Sequence, residues 1–155
     1  MNDHRAGSTA GLALAKRIRD ENSTNATGET LTQIVTEIEE DAAFLDRLAA
    51  GFGATRNPVK QLGALVGERL SRLKMNGRLR SYSPLSRVLE LEALLAGVDA
   101  KRNLWRSLQV ISAGTDTDFT VLIERAADQR RRLTELHARA AHDAFETSTS
   151  ETSGI

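Results

Sequence analysis

The sequence predicts an all-α fold, an antiparallel up-and-down four-helix bundle carrying an additional short N-terminal helix. Three observations predict it. Apolar residues recur at steps of three and four through several long segments, the period that places them on one face of a helix. Aromatics are 4% of a chain that is 40% apolar, so the core is built from aliphatic side chains suited to helix-on-helix packing. Both prolines, Pro58 and Pro84, stand where helices begin, and no Val/Ile/Thr alternation marks a strand. The 155 residues suit one domain. Residues 1–8 read as a flexible N-terminus, 9–145 as the bundle domain and 146–155 as a disordered Ser/Thr-rich tail.

A short first helix is expected from about Thr9 to Glu21, with Leu14 and Ile18 four apart on one face. The segment 22–28 (NSTNATG) is a turn rich in residues that cap helices. The second helix carries Leu31, Ile34, Val35, Ile38, Ala42, Leu45, Leu48 and Ala49 as its apolar stripe, and Gly51 stops it. A third helix opens at Asn57-Pro58, buries Val59, Leu62, Leu65, Val66, Leu70 and Leu73, and ends at Asn76-Gly77. The fourth opens at Ser83-Pro84, with a stripe from Leu85 through Val88, Leu91, Leu95, Val98, Trp105 and Leu108 to Ile111. At 1.5 Å per residue it is about 42 Å long, the expected spine of the fold. The fifth is capped by Asp116, Thr117 or Asp118 and buries Phe119, Leu122, Ile123, Ala126, Leu133, Leu136, Ala140 and Phe145.

Composition narrows the chemistry. There is no cysteine, which removes thiolate metal sites, disulfides and cysteine nucleophiles together. The early apolar stretch 12–15 is too short for a signal-peptide core or a membrane span, so cytoplasmic residence and no membrane partner are expected. Net charge is zero, but residues 56–106 are basic and both flanks are acidic, a pattern that neutralises itself when helices pack. No Gly-x-Ser-x-Gly turn, phosphate loop or dinucleotide fingerprint is present, and no catalytic residue or cofactor is expected.

Three constellations remain. Asp41 falls in step with Ile34, Ile38 and Leu45, and Glu92 and Asp99 flank Leu95, so three inward carboxylates are candidates for a hard cation. No Glu-x-x-His pair accompanies them, and His137 and His142, five apart, point about 140° from each other. The competing reading is an interior polar network. Arg69, Arg102 and Arg130 also fall on inner stripes, so Arg69, Glu92, Asp99, Arg102 and Arg130 are expected to pair and to fix helix register. The basic segment 69–87 has no acid, and Arg78, Arg80 and Arg87 near a helix start are candidates for phosphate or an acidic partner. Neutral overall charge and the isolation of Tyr82 weigh against nucleic acid. Gly63 and Gly67, one turn apart, suit close helix approach or pairing with a second copy.

The runs TEIEEDAAFLDRL (36–48), KMNGRLRSYSPLSRVLELEALLAGVDAKRNLW (74–105) and ERAADQRRRL (124–133) resemble a group of uncharacterised actinobacterial helical-bundle proteins. That resemblance covers most of residues 5–145 and carries no activity with it. The acidic second helix and the layout are also similar to ferritin-like bundles, but the paired Glu-x-x-His motif is absent. A ferritin-like fold without the di-iron site is what that likeness implies. The expectation is therefore a non-enzymatic cytoplasmic protein acting by protein–protein contact or in a structural role, with a homodimer as one form. A metal-binding bundle using Asp41, Glu92 and Asp99, and a phosphate or nucleic-acid binder using the 69–87 segment, are its alternatives.

Overall fold

The computed structural model describes residues 3–24, 26–51, 84–111 and 117–152. The described residues form four helices and no strand: α1 (Asp3–Glu21), α2 (Ala26–Gly51), α3 (Pro84–Ile111) and α4 (Thr120–Thr152). The helix expected at 57–76, with Gly63 and Gly67, lies outside the described residues. The helices pack as a bundle, α1 against α2 and α3, and α4 against α3 and α2. Helical backbone reaches further at both ends than the sequence reading placed it. It begins at Asp3, within the 1–8 segment expected to be flexible, and runs to Thr152, within the tail expected to be disordered. Once a helix is nucleated, each added residue gains a backbone hydrogen bond, so weak propensity alone does not stop it.

α1 gives the core Ala15 and Ile18, both fully buried, so the short helix is inserted among the others. Its end is closed by asparagine: Asn22 Nδ2 donates to the Ile18 carbonyl at 2.7 Å, and the Asn22 backbone N–H donates to the Arg19 carbonyl at 3.0 Å. Both bonds satisfy carbonyls that a helix end leaves without partners. The chain then turns through 22–24 into α2. There Gly28 lies so close to the returning backbone that a Cβ on it would sit 2.2 Å from the Asn22 carbonyl oxygen. Only hydrogen fits, and this contact sets how closely α1 and α2 approach.

Within α2, Leu31, Ile34 and Val35 are buried, and Ile38, Phe44, Leu45 and Leu48 pack against the core with partial exposure. Pro84 opens α3, a position where its missing N–H costs nothing. Leu91, Leu94, Val98, Leu104, Trp105 and Leu108 are buried. This seam is rotated from the expected one: Leu94 and Leu104 are buried, while Leu95 is only partly so. Leu85 and Ile111, expected at its ends, are exposed at 58% and 65%. A helix with neighbours on two sides buries a wider arc in its middle and less at its ends.

α4 starts after Asp118, whose Oδ1 accepts the Thr120 N–H at 2.8 Å. Of the two capping candidates among the described residues, Thr117 and Asp118, it is Asp118 that takes this bond, while Asp116 lies outside them. Phe119, Leu122, Ala126, Leu133, Leu136 and Ala140 are buried as their spacing predicts. Phe145 is not; it is 74% exposed. Phe44, Trp105 and Phe119 meet in the interior, with ring centroids 6.0–6.3 Å apart. Phe44 is edge-on to the other two, and Trp105 stacks on Phe119. Such pairs add about 0.5–1.5 kcal/mol beyond their burial. They lock α2 to α3 beside the polar cluster's helices, close to the start of α4.

Candidate functional site

The polar cluster begins at Asp41. The 3.6-residue repeat that turns Ile34 and Ile38 inward also turns Asp41 inward, and its side chain is 1% exposed. A carboxylate so deep needs partners, because an unpaired buried charge costs several kcal/mol. Lys101 of α3 supplies one, with Nζ 2.6 Å from Asp41 Oδ2. Arg125 of α4 supplies the other, with Nη1 3.1 Å from Asp41 Oδ1 and 3.0 Å from Glu40 Oε2. Both carboxylate oxygens are thus engaged by cations from different helices.

Gln129, fully buried, carries the cluster onward. Its Oε1 accepts from Lys101 Nζ at 2.6 Å, and its Nε2 donates to Glu37 Oε2 at 3.0 Å. Its neighbours decide the amide's orientation, since the reverse would put an NH₂ against an ammonium and a carbonyl against a carboxylate. Arg132 donates from Nη2 to the same Glu37 oxygen, and its Nε lies 2.7 Å from Asp128 Oδ2. The result is a charged seam through α2, α3 and α4. Glu37, Glu40, Asp41 and Asp128 alternate with Lys101, Arg125 and Arg132.

Burial holds the Lys101 ammonium below its ordinary pKa, and the Asp41 charge and hydrogen bond pull it partway back. Desolvation wins there because the side chain is 17% exposed and only one full negative charge touches it. Elsewhere burial raises the Glu90 carboxyl, while the Arg17 guanidinium, 3.1 Å away on α1, acts against it.

The candidates from sequence are distributed differently. Asp41 lies at the centre of the cluster. Asp99 pairs with Arg130 at 2.9 Å and Glu92 Oε1 lies 3.2 Å from His137 Nε2, both at the half-exposed rim between α3 and α4. The rotation of α3 toward Leu94 takes Glu92 and Asp99 out of the interior. Such exposed pairs contribute about 0–1 kcal/mol. Asp41, Glu92 and Asp99 therefore meet separate partners and are not brought together. Among the described residues no three His, Asp or Glu side chains gather as a metal site. Arg102 is half-buried and forms no ion pair among the described residues, its Nε without a hydrogen-bond partner there. Arg87 lies 3.7 Å from Asp143. Arg69, Arg78 and Arg80 lie outside the described residues.

Lys101, Gln129, Arg125, Glu37 and Arg132 escaped the sequence reading. Spacing held a signal for some of them. Lys101 falls three after Val98 and four before Trp105, Gln129 three after Ala126 and four before Leu133, and Glu37 four before Asp41. Polar residues at those steps share a face with the core.

No protein-family model matches this chain, and neither does any curated protein or solved structure.

Proposed function

We propose that this chain is a non-enzymatic cytoplasmic helical-bundle protein that acts through its helix faces, in a structural role or by binding another protein. Asp41 carries the reading. It is the one fully buried acid among the described residues, and Lys101 and Arg125 of its own chain take both its oxygens. A catalytic acid or base presents a proton or lone pair to substrate. This carboxylate is spent on contacts between helices of its own chain.

The finer architecture we propose is antiparallel and up-and-down, with α1 as the additional N-terminal helix. Cross-helix pairs support it: Arg87 with Asp143, Glu92 with His137, Asp99 with Arg130 and Gln109 with Thr120 advance along α3 while receding along α4. Glu37 with Arg132 and Asp41 with Arg125 do the same for α2 and α4. The outward Val110, Ile111 and Val121 are the apolar surface offered to a protein partner, a second copy included.

Native mass spectrometry of the full chain with elemental analysis tests the reading. The expected result is protein without stoichiometric metal, and a partner or second copy whose recovery falls when Val110, Ile111 and Val121 become serine. Stoichiometric metal that is lost in Asp41→Asn overturns it.

A further inference from the structure

We draw no further inference here: the strongest candidate, the apolar surface patch of Val110, Ile111 and Val121 at the end of α3 and the start of α4, is an open face, and nothing in the structure shows what covers it.

Discussion

Lys101 reaches Asp41 across 2.6 Å in the bundle interior, tying α3 to α2 through a carboxylate that water barely touches. The pair is asymmetric. Asp41 keeps Arg125 if Lys101 is removed, whereas Lys101 keeps only the neutral Gln129 carbonyl if Asp41 is removed. Asp41→Ala is therefore expected to cost about 3–5 kcal/mol, the range for stranding a buried charge. Lys101→Met is expected to cost less. The double variant Asp41→Ala/Lys101→Met should lose less than the two single losses together, with a coupling of about 0.5–3 kcal/mol. Urea unfolding of the four proteins closes the cycle. Additive losses would show that the two residues do not act as a pair.

The same burial gives stability a pH dependence of known sign. Lys101 titrates below its ordinary 10.5 when folded and returns to that value when unfolded. Between those two pKa values the unfolded chain binds more protons, so folding is favoured as pH rises through the window. Subtracting the behaviour of Lys101→Met removes the titration of the other groups. The expected outcome is a wild-type advantage that grows as pH rises toward 10.5 and then levels. A difference that is flat or falls across this range contradicts the assigned shift.

Which faces turn inward was legible in the sequence, but which helices those faces meet was not. Asp41 could be placed because Ile34, Ile38 and Leu45 bracket it at helical steps. Lys101 reads equally well as a long side chain lying along apolar surface with its charge in water. Only the proximity of α2 and α4 makes it an interior donor. Glu92 and Asp99 flank Leu95, so the period alone groups them with the core. Rotating the seam to Leu94 leaves them at the rim, since one residue corresponds to about 100° of a helix. The ends of α3 depart from the expected burial for a related reason: Leu85 and Ile111 keep the period but are exposed.

Asp118 supplies a second pH dependence of the same sign, in acid, where stability again falls as pH falls. Hydrogen bonds from Thr120, its side chain first and its backbone N–H second, hold the Asp118 carboxyl below its ordinary 3.8. A depressed folded pKa gives stability that is complete above the unfolded value and is lost as pH falls through the folded one. Asp118→Asn keeps an acceptor for the N–H but cannot ionise. Its melting temperature should lie below that of the wild type at neutral pH, and the gap should close in acid below 3.8. Asp118→Ala should also fray the first turn of α4, seen as faster amide exchange near Thr120. An acid-independent gap for Asp118→Asn would separate the cap from its charge.

Two helical glycines give opposite expectations for one substitution. Alanine is favoured over glycine in a helix by about 0.8–1 kcal/mol, so propensity alone makes Gly28→Ala and Gly97→Ala equally stabilising. Their surroundings differ. A Cβ at Gly97 meets nothing within 4 Å, whereas one at Gly28 would lie 2.2 Å from the Asn22 carbonyl oxygen and 3.0 Å from the Ser23 Cα. Those are backbone atoms, so α1 and α2 must separate to admit the methyl, and forced overpacking costs about 1–3 kcal/mol. Gly97→Ala is expected to raise the unfolding midpoint, by about 0.4–1 kcal/mol in stability. Gly28→Ala should lower it, and it should loosen Ala15 and Ile18, which α1 holds in the core. Chemical denaturation with amide exchange at α1 reads both effects. A stabilised Gly28→Ala protein would mean that the close approach of the α1–α2 turn is not a constraint on the fold.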